Sequence, residues 1–401
     1  PPFIKGELIS ITLTTAIKNT NGDAMPDAYT WNCRVKTDVA TGNLIGQAPI
    51  LTGTNPYAIT AADFDNDDRI DLATANRGAG TVSILENTDS AGFSSANTIP
   101  VGNLPEGITA GDFNRDGLFD LAVANNASNS VSILINSGDF NFSNDQTLFN
   151  VSTPHGIQNR DIDGDGDLDI ITANFGDGRL GIYTNDGTGN FSLATSTVVG
   201  GFPERPLVRD FDNDGDIDLA SPNFTGGFIR FFAQEAPLDY STNSTPGVGQ
   251  NPHIPAAEDL NADGFVDVIV PNSASGNLSI IMNDGDFSFT PSFVASSSSP
   301  WSVTPFDVDG DEDIDLAVCR YLNANGQIRI WKNDGEGNFP IKETLNTDAR
   351  PHQTVAADFD NDGTIDLAVC NENSNNVRVF LNEQPDTEVD EVRGIVSAFS
   401  I

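Results

Sequence analysis

The chain is poor in cations, in sulfur and in long apolar runs. Lysine and arginine number 19 against 58 acidic residues, giving a net charge of −39 over 401 residues. Neutralising a phosphate backbone needs clustered cations, and no basic stripe reverses the sign locally. Nucleic acid is therefore not an expected partner. Three cysteines, Cys33, Cys319 and Cys370, do not make a disulfide framework. Cys319 and Cys370 share one repeat position and read as small buried strand residues, with a cross-blade disulfide the lesser alternative. No run approaches the roughly 20 apolar residues of a membrane span. No signal peptide is visible, and the Pro1-Pro2 start reads as a mature or trimmed end. A G-x-S-x-G elbow and a nucleotide-phosphate loop are both missing. Helical periodicity is missing too. The expectation is a protein that is not an enzyme.

Asp is what the chain has most conspicuously. Residues 161–169 read DIDGDGDLD, with acids at places one, three, five and nine and glycine at six. Alternate carboxylates on a tight loop can converge on one centre, where they repel unless a hard cation sits among them. Several charged oxygens at short irregular spacing suit calcium. Glycine at six serves a turn with positive φ.

The pattern is written seven times. Place one is Asp63, Asp112, Asp161, Asp210, Asp259, Asp307 and Asp358; place three is Asp65, Asn114, Asp163, Asp212, Asn261, Asp309 and Asp360. Place five is Asp67, Asp116, Asp165, Asp214, Asp263, Asp311 and Asp362; place nine is Asp71, Asp120, Asp169, Asp218, Asp267, Asp315 and Asp366. Asp68 and Glu312 replace the glycine in two copies. About seven structural calcium ions are expected, one pinning each unit. They would bring the net charge from −39 to −25.

A spacing near 49 residues marks a repeat architecture. Each unit has a Pro-led apolar run, the acidic loop, a buried run such as LAVAN, a third run such as VSILIN, and a Gly/Asn turn before a fourth. Four short strands per unit make an all-β meander. Such units in series make β-propeller blades of four antiparallel strands.

The DFDNDGDIDLA segment at 210–220 and the NDGTGNF and NDGEGNF turns at 185–191 and 333–339 resemble the FG-GAP/VCBS repeats of integrin α-chain propellers and many secreted bacterial proteins. The resemblance runs from about residue 45 to 383. It implies a calcium loop between strands one and two of each blade, an extracellular or cell-surface location, and adhesion or ligand binding.

The expected blade count is eight. A worn loop at 19–27 keeps Asn19, Asn21, Asp23 and Asp27 at the ligand places. FIKGEL at 3–8 then supplies a fourth strand to the last blade, and one propeller occupies 1–384 with a tail at 385–401. The alternative is seven blades closed by residues 45–53, with an N-terminal appendage.

A second ring lies seven residues before each first ligand, at Pro56, Pro105, Pro154, Pro203, Pro252, Pro300 and Pro351. The residues that follow are Tyr57, Glu106, His155, Glu204, His253, Trp301 and His352, which include all three histidines. They should ring the axial mouth opposite the loops. One reading is a rim that binds sugar by stacking and by hydrogen bonds to hydroxyls. The other is a set of side chains wedged between blades. The functional expectation is a calcium-stabilised extracellular binding or adhesion module for carbohydrate or a surface protein. Alternatives are a self-associating subunit or decoration of an extracellular assembly and, on fold analogy, a polysaccharide-cleaving enzyme.

Overall fold

The computed structural model describes residues 8–13, 29–34, 38, 40–88, 92–285, 287–296 and 299–384, the first two stretches as backbone. It shows seven four-stranded antiparallel blades. Blade 1 runs outward from Pro56–Ala62 through Asp71–Asn76 and Thr81–Asn87 to Phe93–Pro100. Blades 2 to 6 repeat that order, beginning at Pro105, Pro154, Leu207, Ala256 and Pro300. In blades 4 and 5 the preceding prolines, Pro203 and Pro252, still bridge to Asn223 and Asn272.

Blade 7 takes three strands from the C-terminal end, Pro351–Ala357, Asp366–Asn371 and Asn376–Asn382. Its outer strand is borrowed from the other end of the ring. Leu44–Gly46 and Ile50–Leu51 both pair antiparallel with Asn376–Asn382. Leu44 is buried beside Phe380 and Leu367. This corrects the eight-blade expectation and agrees with the seven-blade alternative closed by residues 45–53. A stretch that serves as fourth strand of the last blade is not available to build a further blade. What remains upstream is a two-stranded pair, Leu8–Leu13 with Tyr29–Arg34. The worn loop at 19–27, most of the 3–8 segment and the 385–401 tail lie outside the described residues.

Second strands are apolar on both faces because each is covered by a blade on either side. All six residues of Asp120–Asn125, for example, are buried. Burial of such runs is the main driving force for stacking blades. The second loop residue completes the seam: Phe64, Phe113, Phe211 and Phe359 are fully buried. Trp331 and Tyr183 pack in third strands as expected, and Cys319 and Cys370 are buried free thiols. Seven inner strands converge on the axis. Five are seven residues long, and in blades 4 and 5 the bridging prolines keep the same seven-residue span, so the acidic loop lies roughly 20 Å from the Pro-led end of the same segment.

Candidate functional site

At the loop end, backbone amides hold the acids in place. The first carboxylate accepts from the sixth N–H in all seven loops, at 2.9–3.2 Å. The sixth residue is left-handed throughout. Its φ is 66° at Asp68 and 77° at Glu312, and 87–98° at the five glycines. The two acids therefore adopt the glycine's turn at a strain that glycine avoids.

The ninth carboxylate does a different job. Its Oδ2 accepts from the second loop residue at 2.8–3.0 Å. Its Oδ1 accepts from the last amide of the third strand at 2.7–3.0 Å. One buried side chain thus ties three strands. Burial pushes Asp71, Asp120, Asp169, Asp267 and Asp315 up to about 7, and Asp218 and Asp366 to about 8. Backbone hydrogen bonds pull the other way, and neighbouring acids add to the rise.

Five loops gather three carboxylates closely enough to share an ion. They are Asp63/Asp65/Asp71, Asp161/Asp163/Asp169, Asp210/Asp212/Asp218, Asp307/Asp309/Asp311 and Asp358/Asp360/Asp366. Asp210 is 3% exposed and its Oδ1 has no hydrogen-bond partner, which fits a cation-seeking oxygen better than a settled one. In blades 2 and 5 the third place is amide. Asn114 and Asn261 instead donate to Asp116 and Asp263 at 2.9 Å.

A further element at this end was not anticipated. The third strand ends in Asn in five blades, and in blade 6 Asn333 follows its last residue; each amide reaches into the preceding blade. Asn136 Nδ2 donates to Phe64 O at 2.7 Å and Asn185 to Phe113 O at 2.8 Å. Asn283, Asn333 and Asn382 repeat the bond at 2.6–2.8 Å. Asn87 reaches Phe359 at 2.8 Å and so locks blade 1 to blade 7. The signal was in the sequence, as the Asn that closes ILEN, ILIN, IYTN, IIMN, IWKN and VFLN. Blade 4 has Gln234 there, with an unpartnered Oε1.

The other end is a closed plug. All seven residues singled out after the prolines come together, but not as an open rim. Tyr57, Glu106, Glu204, His253 and His352 are buried, while His155 and Trp301 are half-buried. The Pro-led strand start aims each at the axis, and seven bulky side chains fill a narrow ring. Blades 1 to 5 are joined by a chain of charges. Arg77 Nε meets Glu106 at 2.5 Å, and His155 lies 3.3 Å from Glu106 and 3.1 Å from Glu204, with His253 3.7 Å beyond. Burial would lower the His155 pKa, but Glu204 and Glu106 outweigh it and raise it to about 9. Burial would raise Glu204, but His155 and His253 hold it down at about 2.

The remaining arc is aromatic. His253 stacks on Trp301 at 3.6 Å, and Trp301 Nε1 donates to His352 Nε2 at 2.7 Å. His352 then lies 3.6 Å from the Tyr57 ring. Burial drives His352 well below its ordinary value. Among the described residues the three histidines form no metal cluster.

Over the plug lies a second ring, also missed at the sequence level. It is the residue just after each second strand: Arg77, Asn126, Phe175, Phe224, Ser273, Tyr321 and Glu372. All but Glu372 are half-buried. Phe175 stacks on Phe202 at 4.6 Å and lies 5.5 Å from His155. Tyr321 stacks on Trp301 at 4.1 Å and donates to Glu372 at 2.9 Å. This ring, with Phe202 at 39% exposed, is what the face presents.

The molecule is thus a seven-bladed β-propeller with a ring of carboxylate clusters that could hold metal ions. FG-GAP-like repeats match at residues 63–123, 161–221, 259–318 and 307–369, more than half of the chain. The chain belongs to the FG-GAP-like repeat family. A solved structure of BBS1N in complex with ARL6DN, soaked with lead, is similar at TM-score 0.62 and 13% identity, covering 86% of this chain and 98% of that one. Its counterpart soaked with mercury gives 0.61 and 12%, over 88% and 99%. A structure described as a 6-phosphogluconolactonase of Bacteroides uniformis gives 0.55 and 14%, over 86% and 98%. Identities this low show the fold alone. No curated protein matches the chain.

Proposed function

We propose that this propeller is a calcium-stabilised, non-catalytic binding or adhesion module that works outside the cell. The ligand is a carbohydrate or another surface protein, bound at the plugged face. Calcium is structural: the same loop recurs in every blade, whereas a single ligand site would not need seven copies. Where the loops bind calcium, the first and third carboxylates would hold it with the ninth in four of the gathered clusters and with the fifth in blade 6; the ion would neutralise crowded charge and bind strand one to strand two.

The observation that carries the binding reading is the second ring. In a chain this acidic, Phe175, Phe202, Phe224 and Tyr321 gather at one end with Arg77 and Arg350. Arg350 lies 4.2 Å over the Tyr321 ring. Half-exposed aromatic faces beside fixed charges suit sugar stacking and side-chain anchoring. A non-catalytic role is supported by the carboxylates beneath, since Glu106 and Glu204 are both committed to His155. A glycan array and a panel of extracellular proteins test the reading. Binding lost in Phe202→Ala and Phe175→Ala, with the melting temperature kept, is the expected result. Unsaturated or reducing sugar ends released from a polysaccharide panel would overturn it.

One observation favours the assembly reading as a second. Exposed apolar residues lie in or just beyond outer strands: Phe293 is 56% exposed, and Phe149, the residue after Phe142–Leu148, is 73% exposed. Edge strands of this kind template contacts between chains. Concentration-dependent multimers that vanish in Phe149→Ser/Phe293→Ser would decide for it.

A further inference from the structure

We propose that the loops of blades 1 and 6 supply a cation of their own, so that the seven loops fall into two classes of calcium affinity. The proposal rests on the calcium reading above and refines it.

Arg69 occupies the seventh place of the first loop. Its guanidinium pairs with the Asp67 carboxylate, and its Nε donates to Asn87 O at 2.7 Å. Lys332 ends the third strand of blade 6. Its Nζ lies 3.3 Å from Asp309 and 3.6 Å from Glu343, and it is largely buried. Asp67 and Asp309 are both ligands expected from the sequence, and of the two only Asp309 belongs to a gathered carboxylate cluster. A cation bonded to such an oxygen occupies it and repels a divalent ion.

At these two positions no other blade carries a cation among the described residues, although Arg160 interacts electrostatically with Asp161 and Asp210. The residues matching Arg69 are Leu118, Asp167, Asp216, Phe265, Asp313 and Thr364. Those matching Lys332 are Glu86, Ile135, Thr184, Ala233, Met282 and Leu381. Arg115 of blade 2 does reach the neighbouring loop, but it pairs with Asp167, a seventh residue whose side chain is not a ligand. A buried carboxylate oxygen stays unpartnered in blade 4, at Asp210 Oδ1, and also in blades 1 and 6, at Asp65 Oδ1 and Asp309 Oδ1, so each intrinsic cation satisfies only part of its cluster.

Both intrinsic cations fall in the two blades that replace the turn glycine by an acid, Asp68 and Glu312. Two separate departures thus coincide twice. Each of these loops adds a negative group at a strained φ and balances it with a cation from its own blade.

Calcium chloride titration by calorimetry, with ions counted by native mass spectrometry, tests this on the full chain. Wild type, Arg69→Gln, Lys332→Met and the double variant are compared, with Arg179→Gln as a charge control. Arg179 bonds Ser196 on an outer strand, away from the loops. The expected result is fewer than seven tight ions in wild type. Each loop variant adds one ion or tightens one weak site about tenfold, and the control adds none. Identical isotherms for wild type and loop variants, or an equal gain in the control, overturn the proposal. Wild type that binds no calcium overturns the calcium reading instead. The two loop variants lie in different blades, so one that fails to fold leaves the other decisive.

Discussion

The two ends of the inner strands follow opposite rules. At the loop end seven copies place the same atoms in the same bonds: sixth amide to first carboxylate, ninth carboxylate to two amides. At the plug end the same repeat position carries Tyr, Glu, His, Glu, His, Trp and His, so Glu–His pairs join blades 2 to 5 while aromatic contacts carry on from blade 5 round to blade 1. Sameness fits a fastening that every blade needs. Difference fits a surface built once, from seven unlike parts. On the proposed function, stability falls to one end and recognition to the other, and the contrast breaks if either end proves to do the other's work.

The largest effect should come from emptying the loops. A ligand bound only by the folded state at 100 times its Kd stabilises by about 2.7 kcal/mol per site. Several sites together should therefore drop the melting temperature by about 10 °C or more under chelation. An unchanged melt would sink the fastening role of calcium. Removing one inter-blade amide comes next. Asn136→Ala deletes a buried bond to Phe64 O and a part-buried one to Phe119 O and should cost about 2 kcal/mol in denaturant unfolding.

The plug should answer to pH rather than to calcium. His155 is surrounded by Glu204, Glu106, Arg77 and, more distantly, His253. Its folded value of about 9 stands above the ordinary 6.5. Its contribution is thus complete below pH 6.5 and is lost as pH rises through 9. At saturating calcium, wild type should lose about 2 kcal/mol more than His155→Gln between pH 6.5 and 9.5. Parallel curves would show that the charge chain holds nothing together.

Sequence reasoning reached the loop end because its physics is local. Nine consecutive residues contain the turn, the ligands and the spacing, and repetition supplied the fold. The blade count failed for a non-local reason. The seven-blade alternative names residues 45–53 as its closing strand, but Leu44–Gly46 and Ile50–Leu51 close blade 7 through partners more than 300 residues away, and strands of two or three residues do not decide between the two counts. The ring after the prolines was located, but burial was not legible: position along a strand gives a direction, not how much space seven side chains leave. The second ring and the Asn lock were periodic and could have been found with the same ruler. The acidic loop drew attention away from them.

The smallest prediction concerns the one blade that departs from its fellows at the loop end. Gln234 is buried, makes no bond to the preceding blade among the described residues, and leaves Oε1 unpartnered. Its backbone amide still reaches Asp218 at 3.0 Å, so the strand end is in register. Gln234→Asn should let the shorter side chain donate to Ile162 O, as its counterparts do to the matching carbonyl. The gain is limited by the turn. Asn136 and Asn283 also accept from Gly138 and Gly285 at 3.1 Å, whereas blade 4 continues through Glu235, Ala236 and Pro237. Asn87 and Asn382 are the better guides: both keep the inter-blade bond with an unpartnered Oδ1. One buried bond gained, with one acceptor still unsatisfied, should raise stability by about 0.5–1 kcal/mol. A loss in urea unfolding would mean that blade 4 is tuned around glutamine, and that the loop end is less uniform than its hydrogen bonds imply.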